Sequence, residues 1–434
     1  MLAQMRWLLL LPVPPLLLLP LACPAVNCPA MFVPRTTSSR YRRAILKYLP
    51  TLVIGILAGY IAGTRNLTLQ EISQIKYELS QPDAPACDHA SEQEILDQYH
   101  PHGQKPVKAA LVALVRNTDL LGMRQTIRQI EDRFNSRFNY PYIFLNDVPF
   151  TEEFKAGVRI LTSANVSFGE LDSESWGMPE WIDRERFEVV KRTARYPHGG
   201  SDSYRKMCRF QSGFIHKHPL LADLEFYWRI EPDVEFFCDQ EYDPFVYMKE
   251  NGLKYGWVIG MTEFMDTVAT LWNTTMGFIA EHPGMVSPAN LKRWLLDDAG
   301  NYNGCHFWTN FEIVDLSFYR SPEYEAYFQH LDRAGGFFYE RWGDAPVHSI
   351  AAALFLNASQ THWFEDIGYF HPAVAKCPSG SNIRSKCVCD PQRSFVEKSY
   401  CIVRYKESKQ MVLDPEATEP VHTGPVYMAV PVVG

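Results

Sequence analysis

Ala109-Ala-Leu-Val-Ala-Leu-Val115 is a continuous apolar run with no polar residue at alternate positions. A strand with one face in water would alternate. A run this uniform suits a strand covered on both faces, as in the middle of a parallel sheet. A helical pattern follows from Leu120 to Phe134, and Tyr140-Pro-Tyr-Ile-Phe-Leu145 reads as the next strand. Val158 to Leu161 reads as a third. This alternation predicts an α/β domain of doubly wound type. The sequence shows no repeat with a period of roughly 20–50 residues. It has no glycine-rich phosphate loop and no GxGxxG.

The chain has 434 residues, which suits one large α/β domain with accessories rather than one small domain. Aromatic residues make up 13% of it, enough to fill a core and to line a site by stacking. The net charge of −8 is not the basic footprint of a nucleic-acid partner, and none is expected.

Upstream lie two apolar stretches. Trp7 to Ala22 is broken by Pro12, Pro14, Pro15 and Pro20 and reads poorly as a spanning helix. It is either signal-peptide-like or an extension before a start at Met31. Residues 44–63 are apolar over about the 20 residues that span a bilayer. Arg35, Arg40, Arg42 and Arg43 stand before them. The positive-inside rule then makes residues 1–43 a cytoplasmic tail, 44–63 a transmembrane anchor and the rest lumenal. Residues 64–105 are poor in large apolar side chains and read as a stem. The main domain covers 106–410, and 411–434 read as a loose tail. Sequons at Asn66, Asn165, Asn273 and Asn357, with ten cysteines, fit an oxidising lumen.

The segment richest in chemistry is Phe226-Tyr-Trp-Arg-Ile-Glu-Pro-Asp-Val234, an aromatic strand running into Glu231 and Asp233. Ligands of open α/β sheets bind beyond the carboxyl ends of strands. Two acids there are placed to hold a hard divalent cation, which would bridge a diphosphate. The plainer reading is a pair of acids in a turn. Glu312, in Cys305-His-Phe-Trp-Thr-Asn-Phe-Glu-Ile313, stands among aromatics, where a carboxylate is costly unless paired or used. It would serve as a nucleophile or as a charge beside an oxocarbenium-like carbon, or else as an acid paired within the core. Asp344, in Trp342-Gly-Asp-Ala-Pro-Val-His348, marks a helix start and would otherwise be a simple N-cap. His371, in Tyr369-Phe-His-Pro372, is a metal or phosphate ligand, or a structural histidine. The loop from Tyr196 to Tyr204 offers hydroxyls and helix N-terminal donors to a polyol or phosphate, or is only a capping loop.

Tyr204-Arg-Lys-Met-Cys-Arg-Phe210, Glu231-Pro-Asp-Val234, Cys305 to Glu312, Trp342 to His348 and Phe370-His-Pro372 occur in that order. Together they resemble the fungal α-1,2-mannosyltransferases of the KTR family, glycosyltransferase family fifteen. The resemblance covers roughly 106 to 405. It implies a GT-A-like domain with a mixed, mostly parallel sheet flanked by helices. It also implies GDP-mannose as donor, a mannosylated glycan as acceptor, Mn2+, retention of configuration, and a type II membrane protein of the Golgi. By the same resemblance Glu231 and His371 hold the metal, and Glu312 and Asp344 are catalytic. Tyr204 and Glu263, with Asp344, touch sugar hydroxyls, and Arg116 at the end of the first strand meets the nucleotide. His198-Gly-Gly and the Pro-rich N-terminus depart from the pattern.

Cys377, Cys387, Cys389 and Cys401 would suit zinc, but in a lumenal chain disulfides are favoured. Two competing functions fit the residues: a mannoside hydrolase, which needs two carboxylates but no nucleotide, and a non-catalytic glycan-binding membrane protein. The presence of every motif acid opposes the latter.

Overall fold

The computed structural model describes residues 107–378, 387–395 and 399–413. The apolar stretch 44–63 and the stem lie outside them. Among the described residues no helix is long and apolar enough to cross a membrane.

The run that opens the domain forms β1 (Ala109–Leu114), almost wholly buried. A helix, α1 (Leu120–Ile130), follows, and β2 (Tyr142–Asn146) returns parallel to β1. A third strand, β3 (Val166–Glu170), extends the sheet in parallel on that side.

The third strand is not where the apolar residues suggested. Val158 lies in the last turn of a helix, α2 (Glu152–Arg159), and Ile160 and Leu161 lie beyond it. Thr151 caps that helix by accepting from the Phe154 amide, and Glu152 and Glu153 fill its first turn. Phe154 and Val158, four apart, are its two buried residues. The helical period thus outweighs the local β-branched composition. Strand β3 is only part-buried, which is why its sequence lacks the apolar signature.

On the other side of β1 lies β4 (Phe226–Arg229), parallel to it. The small strand β5 (Glu235–Phe236) follows, then β6 (Tyr255–Trp257), β7 (Gly260–Thr262), β8 (Cys305–Phe307) and β9 (Glu312–Asp315). The chain closes through β10 (Thr361–Trp363), β11 (Tyr369–His371) and β12 (Val374–Lys376). The main sheet runs β10-β6-β9-β4-β1-β2-β3. Only β9 is antiparallel to its neighbours β4 and β6, so the sheet is mixed and mostly parallel, as expected.

That one reversal has a chemical consequence. An antiparallel strand begins where its neighbours end. Glu312, the first residue of β9, therefore lies opposite Arg229 and Trp257, the last residues of β4 and β6. The acid reaches the functional edge of the sheet only because β9 runs backwards.

Two small sheets complete that edge. β11 pairs with β5 and β12, which carries His371 back beside the segment after β4. β7 pairs with β8, which sets Glu263, one residue past β7, against Gly304. Disulfides tie these pieces down: Cys238–Cys387, Cys305–Cys401 and Cys377–Cys389. The C-terminal cysteines thus form disulfides, as the lumenal reading favoured. Cys208 is free and buried.

Candidate active site

At the end of β4, Arg229 is 6% exposed, and a buried guanidinium must be paired. Its Nη1 donates to Asp344 Oδ2 at 2.6 Å, and its Nε to Glu231 Oε1 at 3.0 Å. Arg229 therefore joins two acids that are 113 residues apart in the chain to one centre.

Glu231 faces Arg229 with one oxygen and His371 with the other. Its Oε2 lies 3.3 Å from His371 Nε2. The opposite ring nitrogen, Nδ1, donates to the Pro372 carbonyl at 3.2 Å. In a neutral ring that leaves Nε2 as an acceptor directed at another acceptor. Two lone pairs facing each other call for a proton or a cation between them, which is the donor set a borderline divalent metal takes. Burial would raise the Glu231 carboxyl, but Arg229 and then His371 outweigh it and hold it down at about 2. The carboxylate is therefore charged and ready for a cation throughout the neutral range. Trp308 packs edge-on to the His371 ring at 4.6 Å and fixes its plane.

Asp233 does not join this pair. It sits at φ 60°, with its carboxylate laid against helix α1. A Cβ at Gly122 would lie 2.4 Å from Asp233 Oδ1, so the helix makes room for the acid only by having glycine there. The two-acid chelate suggested by Glu231-Pro-Asp233 is thus replaced by a carboxylate and an imidazole. Among the described residues no three His, Cys, Asp or Glu side chains converge on one point.

Asp344 begins a buried helix, α3 (Asp344–Phe355), but does not cap it, since Gly343 holds the cap position. Its carboxylate serves the centre instead, accepting from Arg229 and from Thr309 Oγ1 at 2.6 Å. Burial opposes its ionisation, and Arg229 and His348 reverse that and lower its pKa. Glu263 Oε1 accepts from Arg341 Nη2 at 3.2 Å and from the Phe264 amide at 2.8 Å. Its Oε2 lies across from Gly343, one residue before Asp344. Arg341 also covers the Tyr204 ring at 5.2 Å, so Tyr204, Glu263 and Asp344 share one wall.

Glu312 is 0% exposed. Tyr227 donates to its Oε1, while Tyr255 at 2.8 Å, Tyr319 at 3.2 Å and His348 Nδ1 at 3.0 Å meet Oε2. Burial would raise this carboxyl; His348 first, then Arg229, lowers it instead.

A cavity of about 290 Å³ opens at the carboxyl ends of β1 and β2, as the sheet topology requires. Arg116 lies on its rim, donating to Ser203 Oγ at 2.8 Å. His198 and Tyr204 stack in its wall at 4.3 Å. Met207, also in the wall, lies 4.0 Å from Arg229 Nη2 and so joins the cavity to the acid cluster. On its floor Asn146 is 2% exposed with its amide nitrogen unpartnered, and neighbouring Asp147 accepts from Trp176 Nε1 at 2.9 Å.

The structure thus brings Glu231, His371, Asp344, Glu263 and Tyr204 around one centre, with Glu312 beneath it and Arg116 on the cavity rim. Sequence reasoning missed Arg229, His348 and the Asn146–Asp147 pair. Two signals were present. Arg229 is a charge inside an aromatic strand, which must find partners. His348 follows Asp344 by four residues and shares its helix face.

A cavity at the strand ends and a carboxylate–imidazole pair suited to a metal are parts that a nucleotide-sugar-dependent glycosyltransferase needs. Residues 66–410 match the profile of the family described as "Glycolipid 2-alpha-mannosyltransferase", and the chain belongs to that family. Among its relatives, glycolipid 2-alpha-mannosyltransferase 1 of Candida albicans is 47% identical over 330 residues, 74% of this chain and 75% of that one. The alpha-1,2 mannosyltransferase KTR1 of Saccharomyces cerevisiae is 50% identical over 305 residues, 69% of this chain and 78% of its own. Of solved structures, core-mannan synthase A of Aspergillus fumigatus in its Mn/GDP form superposes with a TM-score of 0.66 at 41% identity. That match covers 72% of this chain and 87% of the other. The mannosyltransferase Ktr4p of S. cerevisiae in complex with GDP gives 0.65 at 35% identity, covering 80% and 97%. The mixed α/β domain is therefore of the GT-A-like kind these structures share.

Proposed function

We propose that this chain is a retaining α-1,2-mannosyltransferase, moving mannose from GDP-mannose to a mannose-terminated glycan with Mn2+ at Glu231 and His371. The observation that carries the reading is the Glu231 Oε2–His371 Nε2 pair, 3.3 Å apart, joined through Arg229 and Met207 to the cavity at the strand ends. Three carboxylates, Glu231, Asp344 and Glu263, face two guanidiniums, Arg229 and Arg341. A bound dication offsets that excess and supplies the charge that neutralises the departing diphosphate.

The chain's own groups do the rest. Arg116 and Ser203 hold the nucleotide at the cavity rim. Asn146 and Asp147 would read the base: an unpartnered amide N–H suits the acceptors O6 and N7 of guanine, and a carboxylate suits its N1 and N2 donors. Tyr204, Glu263 and Asp344 orient sugar hydroxyls. Asn146→Ala should weaken GDP binding about five- to tenfold, the value of one or so hydrogen bonds. It should also narrow the preference for GDP over UDP, which titration calorimetry with both nucleotides reads. Unchanged selectivity would remove Asn146 from this role.

We place the enzyme in the Golgi membrane, type II, anchored by residues 44–63 with the domain lumenal. Asn165, Asn273 and Asn357 are exposed and suit N-glycans there. In intact microsomes the C-terminal domain should resist protease until detergent is added; digestion without detergent would reject this topology.

The activity itself is tested by GDP release from GDP-mannose. Release should require both Mn2+ and a mannoside acceptor. A hydrolase would free mannose from a mannoside without nucleotide, and a binding protein would release nothing.

A further inference from the structure

Glu312 is the acid that residue chemistry and family resemblance both direct at the anomeric carbon, yet its carboxylate has no open face. Three tyrosine hydroxyls and one imidazole surround its two oxygens. Bringing it against a sugar would break all four contacts.

The cage has a direction. His348 Nδ1 faces the Glu312 carboxylate at 3.0 Å, and Nε2 faces the Gln211 carbonyl at 3.2 Å. The Gln211 carbonyl only accepts, so Nε2 presents a proton to it, while Nδ1 meets both the Glu312 carboxylate and the Tyr319 hydroxyl, which lies 2.7 Å away. His348 lies on α3 four residues after Asp344, one turn along the same face. Glu312 also stands opposite Arg229 in the β4–β9 register, and Arg229 is the group that grips Asp344 and Glu231. One buried anion thus fixes the start of α3 through His348 and backs the guanidinium that binds both working acids.

We propose that Glu312 is a positioning residue: through His348 it sets the helix turn that carries Asp344, and it never touches the sugar. This rests on the mannosyl-transfer reading above. Retention then needs no glycosyl-enzyme. The bond from the anomeric carbon to the β-phosphate oxygen breaks, and the acceptor oxygen bonds that carbon on the same face. The acceptor's hydroxyl proton passes to the departing phosphate oxygen, and GDP leaves. Every atom and charge is accounted for without a second carboxylate.

The test uses the full-length enzyme and two series. In the first, Glu312→Gln, His348→Gln and the double variant are assayed for kcat, acceptor KM and GDP affinity. Positioning through His348 predicts that each single change lowers kcat by about 10–100-fold, and that the double change costs no more than the worse single. GDP affinity should stay within about threefold, since the cavity is untouched; general unfolding would remove it. A nucleophile predicts a far larger loss for Glu312→Gln alone, multiplied in the double. In the second, which depends on no variant folding, wild-type enzyme turns over a slow 2-fluoro analogue of GDP-mannose and its peptides are weighed. Product formation with the Glu312 peptide unmodified supports the proposal. A mannosyl adduct on Glu312 overturns it, as does β-mannosyl azide formed by Glu312→Ala with azide. If GDP release itself fails in wild type, the mannosyl-transfer reading falls first.

Discussion

Replacing Glu231 by alanine should abolish transfer, with kcat/KM falling by about 10³ or more, the scale of losing a metal-held charge at a leaving group. The fold should survive. Arg229 keeps Asp344 as its partner at 2.6 Å, and Glu231 is only part-buried, so no orphaned charge remains in the core. The specific consequence is on the cation. Glu231 is held ionised at about 2, so it offers a full charge to Mn2+ across the neutral range. Removing it leaves His371 alone as a protein ligand. GDP titrated with and without Mn2+ reads this: wild type should bind far better with the metal, and Glu231→Ala should show little difference. A variant whose GDP binding still responds to Mn2+ as wild type does would move the metal elsewhere.

The second large effect is on stability. Arg229→Met keeps much of the side chain's length but removes the guanidinium from a buried cluster. Asp344, 4% exposed, would lose its guanidinium and keep the Thr309 hydroxyl, and Glu231 would keep His371. Breaking a buried pair by deleting one partner costs about 3–5 kcal/mol, because the other charge stays behind. The prediction is therefore a fall of that size in unfolding free energy by denaturant titration, together with loss of activity. Arg229→Lys should recover part of the stability but little activity, since an ammonium cannot bridge two carboxylates with a planar fork. A change in Arg229→Met below about 1 kcal/mol would mean the cluster is far wetter than its burial indicates.

What the sequence made legible was what local pattern carries. The run 109–115 announced a buried parallel strand, and Glu231, Glu312, Asp344 and His371 were each visible as polar residues in costly or special places. What it hid were three-dimensional conditions. The reversal of β9 depends on pairing with β4 and β6, and no local signal in Glu312–Asp315 distinguishes the two directions. Asp233 looked like the partner of Glu231 because it is two residues away. The positive φ at Asp233 and the glycine at 122 decide otherwise, and neither is local to the motif's composition. Val158 looked extended because β-branched residues favour strands, while the Thr151 cap and the Phe154–Val158 spacing settle on a helix. Arg229 was within view but read as part of a strand; its importance comes from Asp344, which is brought to it only by the fold.

Transfer of mannose with retention, at a metal that Glu231 and His371 would hold, leaves its record in the anomeric configuration of the product. The most direct measurement is NMR of the product formed from GDP-mannose and methyl α-mannoside with Mn2+. The expected result is a new α-anomeric signal, a glycosidic bond at the acceptor's O2, and one GDP released per disaccharide, all absent without the metal. A β-linked product, or free mannose in place of disaccharide, would contradict it.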